Sequence, residues 1–376
     1  MKKKLLYLAV QGIQEGSGVS YKILSQVDAF RHNGIDVSFS YLSEENGFLT
    51  KRLFNDEVID DVSQKSYHTQ KYGYKYRYTN LYNKILQEGI NIIYIRYTHF
   101  ANPLFIRFLS KLKRKKIKVF LEIPTFPYDD EYVNIKFKQN LFLKVERLSR
   151  QFFRYYCDKI VTVSSDEKIF GTDTIIISNG INIDEISIKK PKNKDTDIRL
   201  VGVANIRFWH GYDRVIKGLN DYYSNPNNKT KVYFDLIGDN QDSDSEMLRK
   251  LVKEYSLEKY VIFNGVIKKE HLDSFFDVAD MAVGSLGIHR IGLKEASSIK
   301  SREYCAKGIP FIYSVIDRDF DGKSFVLKVA DDDTNININS IVDFLNNTTF
   351  SAKDLRKYAE ENLTWNTIIK KIIAHF

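Results

Sequence analysis

The feature that most constrains this chain is an alternation, made twice, of short apolar runs with amphipathic segments. Such a pattern specifies an α/β fold built on parallel strands. In the first half it predicts strands at Leu5–Val10, Asp36–Tyr41, Ile92–Arg96, Val119–Ile123, Lys159–Val163 and Thr174–Ile177. Several are continuously apolar, as strands covered on both faces are. Between the first two, Ile23, Val27 and Phe30 fall on one face of a helix over Val19–His32. The stretch Pro191-Lys192-Asn193-Lys194-Asp195-Thr196-Asp197 has no large apolar side chain and reads as a linker. The pattern then restarts with strands at Ile198–Val203, Val232–Ile237, Tyr260–Phe263, Met281–Val283, Pro310–Tyr313 and Phe325–Val329. Helices are expected near Tyr212–Tyr223, Ser245–Tyr255, His271–Val278, Ser298–Lys307 and Ile338–Leu345. The last segment, Ala352–Phe376, reads as helix interrupted around Leu363-Thr364-Trp365. Two similar halves imply two Rossmann-like domains with a cleft between them. The expected boundaries are 1–190, 191–352 and a helical segment 353–376.

Composition narrows the function classes. At 376 residues the chain is too long for one compact domain and suits two. With 43% hydrophobic and 28% charged residues, each half can bury a core, which excludes intrinsic disorder. No run of eighteen apolar residues occurs, so no membrane-spanning helix is expected. The start, Lys2-Lys3-Lys4-Leu5-Leu6-Tyr7-Leu8-Ala9-Val10, resembles a signal peptide, but its apolar run stops at Gln11-Gly12 and reads as a first buried strand. Two cysteines, Cys157 and Cys305, cannot build a disulfide framework; both sit in helix-core contexts, so a reducing compartment is expected. The net charge of +9 suits a polyanion, an anionic membrane surface or a phosphate-bearing substrate.

Two segments carry chemistry. Gly12-Ile13-Gln14-Glu15-Gly16-Ser17-Gly18 lies between a strand and a helix. Gly16 and Gly18 would let the backbone approach a ligand at a helix N-terminus. The spacing is not the dinucleotide fingerprint, and a tight turn without a ligand explains it equally. The stronger segment is Gly292-Leu293-Lys294-Glu295-Ala296-Ser297-Ser298-Ile299-Lys300-Ser301-Arg302-Glu303-Tyr304, with a helix stop at Gly308. The N–H groups of Ser297, Ser298 and Ile299 can hold a diphosphate at the helix start. Glu295, ahead of the helix, can accept hydrogen bonds from sugar hydroxyls on one side, and Glu303, inside it, from a ribose on the other. Two glutamates at this spacing also occur in helices with no such role.

This segment resembles the E-x7-E motif of the retaining GT-B glycosyltransferases of family 4. The order of the other segments is similar: a glycine loop after the first strand, Val161-Thr162-Val163-Ser164, then Ile177-Ser178-Asn179-Gly180-Ile181-Asn182, with Ser178 where the family has proline. The resemblance spans essentially the whole chain and includes bacterial capsule and exopolysaccharide enzymes. It implies a GT-B fold: two Rossmann-like domains facing each other across a cleft, the second binding the nucleotide sugar, with a C-terminal helix crossing back to the first. It departs at the phosphate clamp, where the family has an arginine after the strand glycine and then a Lys-Gly pair. Here Val203 follows Gly202, Arg207 comes a few residues later, and His210 precedes Gly211. Arg207 and His210 therefore stand as candidate clamp residues, with a surface charge and a packing histidine as their plain alternatives. His99, after the strand Ile92–Arg96, is the candidate to face the reacting sugar, and an ordinary loop histidine is its alternative. Glu122 to Glu131, at another strand end, would face the acceptor, although a proline-fixed loop also accounts for it.

Asp242-Ser243-Asp244 and Asp331-Asp332-Asp333 read as solvated acidic loops, so no metal site is expected. The basic and aromatic stretch from Lys111 to Tyr156 mixes cations with large apolar residues. Phe142, Val145, Leu148 and Phe152 fit a core stripe, and contact with an anionic membrane surface is the second reading. No groove-reading motif accompanies the charge, so no nucleic acid is expected.

The resemblance thus implies a retaining hexosyltransferase of the cytoplasm, peripheral on the inner face of the membrane. It would take a UDP-sugar as donor substrate, with no cofactor, and a saccharide, lipid-linked or protein-linked glycan acceptor. Glu295, His99 and Arg207 are the catalytic candidates. Gly16, Gly18, Arg207, His210, Ser297, Ser298, Ile299 and Glu303 are the donor-binding ones. A nucleotide-sugar epimerase, or a non-catalytic partner of another transferase, are the rival readings.

Overall fold

Six consecutive residues, Leu5 to Val10, are buried. A strand achieves this only when both faces of its sheet are covered. The computed structural model describes residues 2–14, 17–45, 47–129, 137–192, 196–238, 242–347 and 350–376. Its contacts divide the chain into two compact units, Met1–Ser178 with Trp365–Phe376, and Asn179–Thr364.

Among the described residues, the first unit holds strands β1 (Lys4–Gly12), β2 (Asp36–Glu45), β3 (Phe48–Phe54), β4 (Glu57–Asp61), β5 (Ile92–Arg96), β6 (Lys118–Ile123), β7 (Lys159–Thr162), β8 (Lys168–Ile169) and β9 (Thr172–Ile176). They form one sheet in the order β4-β3-β2-β1-β5-β6-β7-β9-β8. The run from β2 to β9 is parallel; Leu5 of β1 lies opposite Val37 of β2 and Ile92 of β5. β3, β4 and β8 add antiparallel edges. Side chains alternate between two layers. Leu6, Leu8, Ile93 and Leu121 pack toward Phe105 and Leu109 of the helix Pro103–Arg114. Leu5, Tyr7, Tyr94 and Phe120 pack toward Ile23, Val27 and Phe30 of the helix Gly18–His32, and toward Ile368 and Ile372.

The second unit holds β10 (Ile198–Val203), β11 (Val232–Ile237), β12 (Val261–Phe263), β13 (Met281–Val283), β14 (Phe311–Tyr313) and β15 (Val326–Lys328), all parallel. Their order, β12-β11-β10-β13-β14-β15, is that of the Rossmann sheet. The order reverses at β10, and ligands of open α/β sheets bind beyond the strand ends at such a point.

Three expectations meet a different structure. The boundary lies at 178/179, ahead of 190, because residues 179–190 are bonded into the second unit. The Asn179 N–H donates to Ser297 Oγ at 2.7 Å, Ile181 N–H to the Leu363 carbonyl at 2.9 Å and Lys189 N–H to the Lys307 carbonyl at 2.9 Å. The segment after Pro191 therefore leads into β10 within that unit, and residues 193–195 of the expected linker lie outside the described ones. The C-terminal segment is split between the units. Leu355, Ala359 and Leu363 bury against Tyr304, Cys305 and Ala306 in the second, and the helix Trp365–Ile373 packs in the first, where Phe376 stacks on Phe30. Phe142, Leu148 and Phe152 do not form a core stripe: all three are exposed, Leu148 at 72%. Glu146 and Arg150 turn inward from the same run instead, and pair with each other at 3.3 Å. Both cysteines are buried, and no helix among the described residues is long and apolar enough to cross a membrane.

Candidate functional site

The segment from Glu295 to Gly308 folds as a loop followed by the helix Ile299–Lys307. Gly308 ends the helix with φ 76°, and a Cβ there would lie 2.6 Å from Ala352, so only glycine fits. Ser298 holds the N-cap position, yet its side chain makes no capping bond. The first-turn N–H groups of such a helix are left for an anion.

Arg302 fixes this helix tip. Its guanidinium is fully buried, bidentate to Asp317 at 2.7 and 2.9 Å and in contact with Asp319. It also donates to the carbonyls of Asn179 at 2.9 Å and Ser298 at 3.0 Å. Asn179 in turn donates its amide to the Ser297 carbonyl at 2.6 Å. The Asn-Gly segment and the loop before the helix are thus tied to one buried cation. Glu295 lies in an isolated parallel bridge with Ile316, and its carboxylate accepts from Arg318 at 3.1 Å. Its side chain is partly exposed, so it is not lost in the interior. Glu303 is partly buried, one turn beyond Lys300 on the same helix.

Arg207, His210 and Lys300 come together. Arg207 precedes, and His210 closes, the single turn Phe208–His210, which ends at Gly211 with φ 66°. A Cβ on Gly211 would lie 2.7 Å from the Leu286 carbonyl carbon. The turn aims the His210 ring so that Nδ1 accepts the Arg207 N–H at 3.0 Å, while Nε2 lies 2.9 Å from Lys300 Nζ. Burial, and then Lys300, lower His210 to about 3, so the imidazole is neutral. With Nδ1 accepting, its one proton is on Nε2 and points at Lys300. That contact is satisfied only when Lys300 is an amine, since an ammonium has no lone pair. In keeping with this, burial lowers Lys300 to about 8, against an opposing pull from Glu303. Arg207 is partly exposed and its guanidinium contacts Asp242, which also accepts the Ser245 N–H at the start of the helix Ser243–Glu254.

The structure thus places Ser297, Ser298, Ile299 and Glu303 on or just before one helix, with Glu295 ahead of it, and it links His210, and Arg207 through His210, to that helix by way of Lys300. The sequence reading missed Lys300, Arg302 and Arg318. A basic residue in the first turn of a helix opposes the helix dipole, and that signal was present in the sequence for Lys300.

The remaining candidates lie in the first unit. Gly18 opens the helix Gly18–His32 behind an Ser17 cap, and a Cβ there would meet open space, so no close approach requires the glycine. Gly16 lies outside the described residues. His99 follows β5 with φ 55°, stacked on Tyr128 at 3.7 Å between ring centres. Burial, and then Arg150, lower it to about 4, so it too is neutral. Glu122 does not face an acceptor: it is buried under Lys22 at 2.9 Å, Arg96 at 3.1 Å and the Tyr94 hydroxyl at 3.1 Å. Residues 130–131 of its loop lie outside the described ones. Asp331 and Asp333 pair with His289, and Asp333 also with Arg290 at 2.7 Å. Among the described residues no group of three or more His, Cys, Asp or Glu is placed to hold a metal ion.

No family model and no curated protein matches the chain in sequence. Solved structures do match its fold over the full length. Sucrose-phosphate synthase from Thermosynechococcus elongatus aligns with a TM-score of 0.65 at 15% identity, covering 100% of this chain and 98% of that one. The catalytic domain of starch synthase IV from Arabidopsis thaliana, bound to ADP and acarbose, aligns with a TM-score of 0.64 at 11% identity, covering 100% and 99%. HepE from Anabaena, in complex with UDP, aligns with a TM-score of 0.59 at 13% identity, covering 99% and 98%. The chain has the GT-B fold of these glycosyltransferases, two parallel-sheet α/β domains.

Proposed function

We propose that the chain is a retaining glycosyltransferase that uses a nucleotide sugar, a UDP-sugar, as donor. The observation that carries the reading is the uncapped start of the helix Ile299–Lys307, with Glu295 ahead of it and Lys300 and Glu303 on it. The N–H groups of Ser297 to Ile299 would hold the diphosphate, Glu303 the ribose and Glu295 the donor sugar. Full-length likeness to structures solved with UDP or ADP bound supports a nucleoside diphosphate as the ligand.

In the reaction proposed, the acceptor hydroxyl attacks the anomeric carbon from the side of the leaving group. The bond from that carbon to the diphosphate oxygen breaks, and the hydroxyl proton passes to the departing phosphate. Negative charge develops on the diphosphate, so fixed donors and cations there are the main catalytic demand. The helix start, Lys300 and Arg207 answer it, and transfer is expected to survive EDTA. The acceptor is a saccharide or a lipid- or protein-linked glycan, in surface polysaccharide or glycoconjugate synthesis. The setting is the cytoplasm, at the inner face of the membrane. His99, neutral and beyond β5, would line the acceptor side.

A panel of nucleotide sugars screened by thermal shift, followed by turnover with the best binder, tests this. Glu295→Ala should lower transfer by at least about a hundredfold, in line with loss of one transition-state contact, while the melting temperature and UDP affinity hold. Unchanged transfer would refute the role of Glu295. Conversion of the donor to its epimer without acceptor would favour an epimerase instead.

A further inference from the structure

In the first unit a cavity of about 190 Å³ opens beside His99. Tyr76, Phe100, Pro103, Leu141, Phe142 and Val145 wall it. A cavity of about 150 Å³ lined by leucine, isoleucine and phenylalanine takes up benzene, so by volume this one has room for a ring or several methylenes.

Among the described residues, all but one of the charged, amide and imidazole side chains at its wall are engaged. Glu146 accepts from the hydroxyls of Tyr97 at 2.6 Å and Tyr128 at 2.8 Å, and from Arg150 at 3.3 Å. Asn102 caps the helix Pro103–Arg114 through the N–H groups of Leu104 and Phe105, and its amide donates to the carbonyls of Lys75 and Phe100. His99 is stacked on Tyr128 in a left-handed backbone conformation, a strain that tends to persist where a ligand site needs it. The exception is Lys75. Its Nζ lies 5.6 Å from the Tyr74 ring centre and 5.9 Å from that of Phe142, and among the described residues no carboxylate pairs with it. Burial penalises its charged form and lowers its pKa, a cost that an anion beside it would offset.

The apolar wall continues outward. Leu141 is 59% exposed although it lines the cavity. Leu148, Phe152 and Tyr155 follow it at helical spacing, and all three are exposed. Lys144, Arg147 and Arg154 are exposed among them. A compact aromatic ligand would fill the cavity and leave this stripe unused. A long chain would use both.

Resting on the transferase reading above, we propose that the cavity receives the acceptor, and that the acceptor is a phosphorylated hydrocarbon. Its first methylenes fill the cavity, its phosphate pairs with Lys75, and the rest of the chain lies along Leu141, Leu148, Phe152 and Tyr155. A sugar carried on that phosphate would then reach toward His99.

The test titrates the full chain by calorimetry with decyl phosphate below its micelle concentration, with decanol and with inorganic phosphate, and separately with UDP. Decyl phosphate should bind about tenfold to a hundredfold tighter than decanol, the size expected of one charge-assisted hydrogen bond, and inorganic phosphate should not displace it. Lys75→Met should erase the advantage over decanol and leave decanol binding in place. Val145→Trp, which fills the cavity, should abolish binding of both. Should that variant not fold, Leu141→Asp at the mouth carries the same test. UDP affinity should be the same in all variants, because the proposed donor residues lie in the other unit; loss of UDP binding by the unaltered chain would instead sink the donor reading. Decyl phosphate binding no tighter than decanol, or unaffected by filling the cavity, overturns the proposal. So does adsorption to phosphatidylglycerol vesicles by a chain that takes up no decyl phosphate.

Discussion

Lys300 should make donor binding depend on pH in a way that one substitution removes. In the free chain its Nζ lies 2.9 Å from His210 Nε2, whose proton opposes an ammonium there, and burial lowers the lysine to about 8. A diphosphate held at the helix start, as proposed, would accept from the ammonium and return it toward the ordinary value of about 10.4. A rise of about 2.4 units corresponds to about 3 kcal/mol of favourable coupling at most. The sign follows from the direction: binding raises the pKa, so the gain is complete below about 8 and is lost as pH rises toward the bound value. UDP affinity should therefore fall about tenfold between pH 7 and pH 9. At pH 8 binding should take up about half a proton, read by calorimetry in buffers of different ionisation enthalpy. His210, held to about 3, is silent in this window. Lys300→Met should weaken UDP at pH 7 by about tenfold to a hundredfold, the loss of one hydrogen bond from a charged donor. It should also remove the proton uptake. Any titration of UDP itself is common to both chains and cancels in their difference. Parallel pH profiles for the two chains would refute the reasoning, whatever the size of the affinity loss.

Two further outcomes concern stability. Arg302→Leu leaves Asp317 and Asp319 beside an apolar side chain and should destabilise the second unit by about 3–5 kcal/mol in denaturant titrations; a loss below about 0.5 kcal/mol, the scatter of ordinary surface changes, would mean that the tip does not depend on it. Burial opposes ionisation of Glu122, but Lys22 and Arg96 more than offset this and hold it down to about 2. Its contribution, about 3 kcal/mol if the unfolded value is ordinary, is present above about pH 4.5 and lost as pH falls through about 2. Glu122→Gln should flatten acid unfolding across that interval, and an unchanged slope would count against the assignment.

What the sequence conveys follows from the range of the interactions. Strands read from continuous apolar runs need only local information, and Ile92–Arg96, Ile198–Val203, Val232–Ile237 and Met281–Val283 appear with the same bounds in the structure. The hairpin β3–β4 carried a weaker signal. Its turn rests on Asn55 and Asp56, both at positive φ, in a stretch without a clean alternation. The boundary at 178/179 was hidden because its cause is long-range. A polar stretch at 191–197 looks like a linker, but the bonds from Asn179 and Lys189 to residues more than a hundred positions away decide where the second unit begins.

The same distinction separates the parts of the candidate site. The loop and helix from Glu295 to Gly308 are contiguous, and their glycines, serines and glutamates are legible as a ligand-facing segment. The charge balance around them is not contiguous. Lys300 meets a histidine 90 residues earlier, Arg302 an asparagine 123 residues earlier, and Arg207 an aspartate 35 residues later. Yet Lys300 breaks a local rule that could be read in advance. A cation in the first turn opposes the helix dipole by about 0.3–1 kcal/mol, and a chain that keeps one there needs an anion to offset it. Local violations of this kind concentrate at functional sites. Where the clamp arginine and lysine of the resembled family are missing, a lysine placed against its own helix dipole is the first residue to examine for the missing charge.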